Sequence, residues 1–385
     1  MMENLGVKLY EAGTSIWYDN IERKLLLDGT LKKLIDDEIV RGVTSNPSIF
    51  NLAISKSTEY ENDIRELARA GKTTREVYDA LTIADIQDTA DLLRVAYMFN
   101  WKKDGYVSLE VAPDLAYDTQ GTIEDAKRLW NLVDRENLMI KIPATKPGLK
   151  AITEAIRAGI NVNVTLIFSL DRYREVMHAY AEGLRLRLDD GNKIDDVASV
   201  ASFFVSRVDS KVDKYLSGKP QADILKGKAA VANAKLAYQE FLKFIGTDAW
   251  KSLEARGAKV QRPLWASTST KNPDYRDVIY VEELIGPNTV NTVPPSTLTA
   301  FLEHGEIRPS LLENVETARA VLSDLEASGI SMRQVTDELE SEGVVAFQKA
   351  FLDLLASIDE RRTIAREQLG DLSLASDVVK KKLNQ

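Results

Sequence analysis

The sequence predicts an α/β fold, a (β/α)8 TIM barrel with extra helices and a C-terminal helical segment. Three observations carry that expectation. Short β-rich apolar runs recur eight times along the 385 residues. The runs are mostly continuous rather than alternating, as in parallel strands buried on both faces. Longer stretches with helical periodicity lie between them.

The first run, Ser15–Asp19, precedes a helical stretch from Ile21 to Glu38. There Leu25, Leu26, Leu31, Leu34 and Ile35 fall at helical spacing and Gly29 marks a break. The second run, Ile39–Asn46, is followed by residues 51–100, too long for one crossover and enough for two or three helices. The third and fourth are Gly105–Pro113 and Leu138–Thr145. After the fourth, Pro147 and Gly148 read as a turn ahead of a helix through Ala151 and Ile156. The fifth and sixth are Asn161–Ser169 and Val197–Asp209, followed by an Ala- and Lys-rich helical stretch over 210–257 that ends near Gly257. Arg262–Ser269 and Asn288–Pro294 complete the set. In the tail, Phe347, Phe351, Leu355 and Ile358 form an apolar stripe that should pack on the core. The rival, a doubly wound open sheet, calls for a Gly-rich phosphate turn after its first strand, and none follows Asp19. No repeat, low-complexity block or Pro/Gly-rich linker divides the chain, so residues 1–385 read as a single domain.

Composition removes whole classes of function. The chain has no cysteine, which excludes disulfides, thiolate metal sites and cysteine nucleophiles. Its two histidines, His178 and His304, leave little room for a histidine zinc site or a Ser-His-Asp triad and read as structural. Neither a metal nor a cofactor is expected. The formal charge of −9 argues against nucleic acid as a partner. No stretch approaches the roughly 20 apolar residues that span a bilayer, so no membrane partner is expected. The opening MMENLGVKLYEAG lacks a signal-peptide pattern, making the cytoplasm the default location. Oligomeric state is left open.

The informative feature is a set of polar residues inside or at the ends of the apolar runs. Asp19 ends SIWYD and Asn46 ends GVTSN. Glu110 sits in YVSLEVAP, Lys141 in LMIKIPAT, and Asn163 and Thr165 in NVNVTLIFS. Ser202 and Arg207 lie in VASFFVSRVD. A lone strand-end glutamate is more often a salt-bridge partner than a catalyst, and a lone lysine is usually a snorkelling surface residue. Asn46 before Pro47 could simply start a turn, and Arg207 with Asp209 could be a solvated strand-end pair. Recurrence shifts the balance. Unpaired buried charge is costly, and the carboxyl ends of barrel strands converge on one face, where active sites are built.

A lysine in an apolar strand has a specific chemical use. Desolvation and nearby positive charge favour the neutral, nucleophilic amine. Its attack on a ketone gives an iminium, an electron sink for breaking a carbon–carbon bond. The proton transfers need carboxylates, and Asp19 and Glu110 are available.

Five blocks, GVTSNPSIF (42–50), VSLEVAP (107–113), LMIKIPAT (138–145), NVNVTLIFS (161–169) and SFFVSRVD (202–209), resemble the transaldolase family in the family's order. RPLWASTSTKNPDY and NTVNTVP further resemble its longer bacterial subfamily. The resemblance implies that Lys141 forms a Schiff base and that Asp19 takes the C4-hydroxyl proton during carbon–carbon cleavage. It implies that Glu110 and Thr165 hold a catalytic water, and that Asn46, Asn163 and Ser202 bind hydroxyls of a dihydroxyacetone unit. Arg207 matches a substrate-phosphate ligand, a role suited to its forked donors.

The implied reaction moves a dihydroxyacetone unit between sugar phosphates. Sedoheptulose 7-phosphate or fructose 6-phosphate would donate, and glyceraldehyde 3-phosphate or erythrose 4-phosphate accept, in the non-oxidative pentose phosphate pathway. Two departures stand out. Shorter family members carry a second phosphate-binding arginine after the seventh strand. Here the region reads WASTSTKNP, so Ser267 and Lys271 are expected to replace it, with Lys271 equally readable as a surface residue. Phe203 stands where a proline is common, which should matter little. Phe204 falls where related fructose-6-phosphate aldolases carry a tyrosine, favouring transfer over aldol cleavage. An aldolase-like lyase using the same lysine is the alternative, and a catalytically silent phosphosugar-binding barrel is a third reading.

Overall fold

The computed structural model describes the backbone of residues 4–383 and the side chains of residues 4–368. Eight parallel strands close into a barrel in sequence order. They are β1 (Thr14–Tyr18), β2 (Gly42–Val43), β3 (Tyr106–Glu110), β4 (Leu138–Pro143), β5 (Val162–Ile167), β6 (Ser199–Phe204), β7 (Arg262–Ala266) and β8 (Thr289–Val293). β8 pairs with β1 along its whole length, from Thr14 opposite Thr289 to Tyr18 opposite Val293. Every strand residue is buried, because the outer faces lie under helices and the inner faces fill the barrel. That is why the runs read as continuous rather than alternating.

The crossovers follow the predicted pattern with four corrections. The run over Ile39–Asn46 forms a ladder only at Gly42–Val43. Flanking groups still bond to the neighbouring strands, Arg41 N to Ile16 O (2.8 Å) and Thr44 N to Tyr18 O (2.9 Å). The chain then turns so that Asn46 caps the helix Pro47–Lys56. The sixth strand ends at Phe204, and a helix, Ser206–Leu216, starts within the predicted strand. A continuous apolar run cannot by periodicity alone separate a buried strand from the helix after it. Pro147 and Gly148 lie inside the first turn of the helix Lys146–Arg157, where proline's fixed φ suits a helix start. A side chain at Gly148 would sit 2.1 Å from Pro143 O, so only glycine lets this helix approach β4 so closely. Finally, residues 210–257 form several helices, with Ala229–Ile245 the longest. Other expectations match. Helices Arg23–Leu27 and Thr30–Asp36 part at Gly29, and three helices fill the stretch before β3: Pro47–Lys56, Glu61–Arg69 and Thr74–Phe99.

The amino ends of the strands are closed by a buried polar plug. The Arg262 guanidinium donates to Asp104 Oδ1 (2.9 Å), Ser15 Oγ (2.7 Å) and Thr289 O (2.7 Å). Asp104 also accepts from Trp17 Nε1 (2.9 Å) and Ser15 Oγ (2.8 Å).

The carboxyl ends are crossed by the long helix Met332–Leu383. It packs on the helices Pro47–Lys56, Glu61–Arg69 and Thr74–Phe99. Of its apolar stripe, Phe347, Phe351 and Ile358 are buried and Leu355 is partly buried against the core. Lys211 holds the helix through Glu338 at 2.6 Å, and Arg361 donates to Ile54 O at 2.5 Å. Among the described residues no helix is long and apolar enough to cross a membrane.

Candidate active site

A cavity of about 380 Å³ opens at the carboxyl ends of the strands, beneath the C-terminal helix. It is lined by Asp19, Asn46, Lys141, Thr165, Ser202, Phe204, Arg207, Ser267 and Lys271, all singled out from the sequence. The remaining two, Glu110 and Asn163, are buried and touch lining residues. Two roomier clefts of about 680 Å³ each lie in the helical layer, one around Phe244 and Trp250, the other around Arg172 and Met332. Neither contains any of these residues.

Strand register brings the buried set together. Glu110 stands opposite Lys141, and Lys141 opposite Asn163, so three neighbouring strands turn polar side chains to the same face. Lys141 is 4% exposed. Its Nζ donates to Ser45 O at 2.9 Å and lies 3.5 Å from Glu110 Oε2. Among the described residues, both Glu110 oxygens and Thr165 Oγ1 are buried without a hydrogen-bond partner. Such orphans are rare in a folded chain and mark places where a ligand or water completes the bonding.

A hydrogen-bonded chain fixes this floor. Ser202 Oγ donates to Asn163 Oδ1 (2.7 Å), and Asn163 Nδ2 donates to Ser108 Oγ (3.0 Å). Ser45 Oγ donates to Ser108 O (2.7 Å), which anchors Ser45, whose own carbonyl oxygen accepts from the Lys141 amine. On the β1 side, Thr44 Oγ1 donates to Asp19 Oδ1 at 2.7 Å. Asn46 does start a helix, its Oδ1 accepting from Ile49 N at 3.0 Å, yet it also lines the cavity. The cap fixes one side of its amide and leaves the NH2 able to donate.

The mouth is cationic. Arg207 sits in the first turn of the helix Ser206–Leu216, where backbone dipoles favour an anion. It is not a solvated strand-end pair with Asp209, which is buried and engages Ala230 N and Tyr280 OH. The Arg207 guanidinium lies over Phe204 (5.3 Å) and Phe347 (6.0 Å). Neither Arg207 nor Lys271 has an ion-pair partner within 4.0 Å among the described residues. Lys271 Nζ contacts Ser269 Oγ, and Ser267 Oγ lies 3.0 Å from Ser206 Oγ.

A family model described as transaldolase/fructose-6-phosphate aldolase matches residues 16–358. A transaldolase of Parafrankia sp. (strain EAN1pec) is 51% identical over 365 residues, covering 94% of this chain and 97% of its own. A transaldolase of Trichodesmium erythraeum is 45% identical, covering 94% and 98%. A protein named transaldolase 2 from Streptomyces coelicolor is 49% identical, covering 91% and 95%. The chain belongs to the transaldolase/fructose-6-phosphate aldolase family.

In this transaldolase-family barrel the carboxyls are tuned upward. Burial pushes Glu110 up to about 7, although Lys141 opposes the rise. Burial also raises Asp19, against the pull of Lys141, Thr44 and Lys271. At the mouth, burial lowers Arg207. Lys271 is lowered by burial and then by the Arg207 charge, as expected of two cations sharing one opening. His178 packs edge-on to Phe244 and His304 contacts Asp277, both away from the cavity. Among the described residues no group of three or more His, Asp or Glu could hold a metal ion.

Sequence reasoning missed several members of the site. Phe347, read as core, lines the cavity and stands 5.9 Å from Lys141 Nζ. Thr44, Ser45 and Ser108 hold the functional groups from behind and gave no signal beyond being polar in apolar runs. Leu166 (φ 59°) and Ser267 (φ 55°) adopt left-handed backbone at the ends of β5 and β7. Such strain is concentrated where surrounding structure imposes it, commonly at functional sites.

Proposed function

We propose that this protein is a transaldolase, moving a dihydroxyacetone unit between sugar phosphates through a Schiff base on Lys141. The observation that carries the reading is the buried Lys141 amine, 3.5 Å from Glu110, at the base of a cavity whose mouth holds Arg207 and Lys271. Residues 1–385 act as one domain in the cytoplasm, in the non-oxidative pentose phosphate pathway.

The donor ketose phosphate, sedoheptulose 7-phosphate or fructose 6-phosphate, places its phosphate at Arg207, with Lys271 and Ser267 completing that end. Asn46, Asn163 and Ser202 receive the C1 and C3 hydroxyls that flank the C2 carbonyl. The neutral Lys141 amine adds to the C2 carbonyl, giving a carbinolamine. Glu110, working through a water held with Thr165, delivers the proton with which hydroxide leaves as water, and the iminium forms. A carboxyl poised near 7 can give and take that proton at neutral pH. Asp19 takes the C4-hydroxyl proton as the C3–C4 bond breaks. The bond electrons move into the iminium, leaving an enamine on Lys141 and releasing an aldose phosphate. An acceptor aldehyde, glyceraldehyde 3-phosphate or erythrose 4-phosphate, then adds to the enamine carbon and its oxygen recovers a proton from Asp19. Water attack at C2 releases the new ketose. The chemistry needs no cofactor.

Phe204 offers no hydroxyl beside the enamine, and Phe347 covers Lys141 from above; both favour retention of the three-carbon unit until an aldehyde arrives. Borohydride reduction in the presence of fructose 6-phosphate, followed by peptide mapping, tests the reading. The adduct is expected on Lys141, and no adduct there overturns it. Acceptor-independent release of dihydroxyacetone, measured without erythrose 4-phosphate, would place the enzyme with the lyases.

A further inference from the structure

The amino-terminal face of the barrel, opposite Lys141, carries a second cavity of about 330 Å³. Four cations line it, Lys102, Lys103, Lys259 and Arg262, against one carboxylate, Glu254. Two of the cations are engaged: Arg262 with Asp104 at 2.9 Å and Lys102 with Glu136 at 3.2 Å. The other two are not. Among the described residues neither Lys103 nor Lys259 has an ion-pair partner within 4.0 Å, and Lys259 Nζ is buried with no hydrogen-bond partner. An enclosed ammonium with no hydrogen-bond partner, answered only at longer range by Asp195 and Asp196, is a cost that folded proteins rarely carry, and an anion seated beside it would lower that cost. Trp101, 90% exposed and held in left-handed backbone (φ 54°), stands among the lining residues and offers a flat apolar surface.

We propose that this cavity is a binding site for a small phosphate-bearing molecule, separate from the sugar-phosphate site at the other end of the barrel. Lys103, exposed at the rim, and Lys259, with its buried Nζ, supply charge not held, among the described residues, in an ion pair within 4.0 Å, and Lys102 and Arg262 add donors. Burial lowers both lysines, and the Arg262 charge at Lys103 and the Lys102 charge at Lys259 add to the fall, against the opposing pull of Asp104 on the first and of Asp196 and Asp195 on the second. The volume lies within the range of small-molecule pockets. Phosphate alone and a nucleoside phosphate stacked on Trp101 share this chemistry.

Calorimetric titration of the full chain with pyrophosphate and with ATP tests the site. The protein carries Arg207→Gln and Lys271→Gln so that the catalytic mouth takes up no anion. Saturable binding with Kd below about 1 mM is expected, weakened at least about tenfold by Lys103→Gln with Lys259→Gln, and strengthened by Glu254→Gln. Lys259→Arg, which keeps the charge, should retain binding. With Arg207 and Lys271 intact, Lys103→Gln with Lys259→Gln should leave basal sugar-phosphate turnover unchanged, showing that the chain still folds. ATP binding more tightly than pyrophosphate, with the difference lost in Trp101→Ala, identifies a nucleoside phosphate; equal binding identifies the phosphate group alone. No saturable binding, or affinity unchanged by the paired glutamines, overturns the proposal.

Discussion

Glu110 Oε2 stands 3.5 Å from Lys141 Nζ across neighbouring strands, with the two residues 6% and 4% exposed. The contact is longer than a well-formed hydrogen bond: among the described residues neither Glu110 oxygen has a hydrogen-bond partner, and the Lys141 amine donates to Ser45 O. A pair serving stability alone would close that distance and satisfy its lone pairs. This one leaves a carboxyl and an amine close together with the carboxyl's hydrogen-bonding capacity unspent, as the proposed proton relay through water requires.

Replacing either partner should therefore separate binding from chemistry. Lys141→Met is expected to abolish turnover and borohydride labelling. Glu110→Gln should keep substrate affinity while kcat falls by about 10² to 10⁴, the usual contribution of a general acid–base group. Single-turnover kinetics with fructose 6-phosphate and erythrose 4-phosphate measure both. A kcat for Glu110→Gln within a factor of about two of wild type would remove the glutamate from the proton relay.

Glu110 also ties activity and stability to pH. With its carboxyl pushed up to about 7, the kcat profile should carry an apparent pKa near that value, absent from Glu110→Gln. Stability runs the other way from that of a salt-bridged carboxylate. A carboxyl whose folded pKa exceeds its unfolded value holds its proton more tightly in the native state. It contributes stability below about 4.5 that is lost as pH climbs toward about 7. Urea unfolding at pH 5 and pH 8 should show Glu110→Gln gaining on wild type at the higher pH. A gap that does not move between the two would contradict the assignment.

The barrel was legible because parallel strands buried on both faces write themselves as apolar runs, and because Lys141 or Glu110 inside such a run has few physical excuses. Arg207 was legible as a residue but not as a position. Its strand and helix form one apolar stretch, and the turn at Val205 has no Gly or Pro to mark it. Phe347 was hidden for the opposite reason: a phenylalanine in an apolar helical stripe looks the same whether it packs on core or roofs a cavity. The left-handed backbone of Leu166 left no trace, since β-rich leucine runs predict extended conformation. Only the pairing irregularity between Val164 and Ile167 reveals it.

The cationic mouth predicts a graded series. Arg207→Ala should raise KM for phosphorylated donors by roughly 10- to 100-fold, as loss of a charge-assisted contact does. Lys271→Ala should raise it less, because the residue is more exposed and its ammonium is a point charge rather than a fork. Ser267→Ala should have the smallest effect. Each should leave turnover of an unphosphorylated ketose nearly unchanged. An unaltered KM for Lys271→Ala would return that residue to the surface.

At the other end of the barrel, Asp104 is held below the usual carboxylate range: burial raises it, but Arg262, Trp17 and Ser15 outweigh burial. Removing one partner from this buried pair leaves the other uncompensated, so Asp104→Ala should cost about 3–5 kcal/mol in chemical unfolding. Replacing both, Asp104→Leu with Arg262→Met, should restore most of that loss, since well-packed apolar residues often substitute for a buried ion pair. Turnover per folded molecule should change little in either. A double variant as unstable as the single would mean that the bonds to Ser15 and Thr289, rather than charge, hold the plug.

Gly343 offers a test of how far the C-terminal helix shapes the site. By helix propensity alone, glycine inside Met332–Leu383 is unfavourable by about 1 kcal/mol against alanine, and a substitution should stabilise the chain. Space says otherwise. A Cβ there would lie 2.9 Å from Leu166 Cδ2 and 3.7 Å from an Arg207 nitrogen. Leu166 is fully buried on left-handed backbone and has little freedom to retreat. Gly343→Val should therefore push the helix outward, lifting Phe347 from Lys141 and displacing Arg207. The expected result is a KM rise for sugar phosphates comparable to that of Arg207→Ala, with a fall in kcat that Arg207→Ala lacks, because Phe347 no longer covers the enamine. Gly343→Val with wild-type kinetics and raised stability would show instead that the helix rests on the barrel without forming the roof of the site.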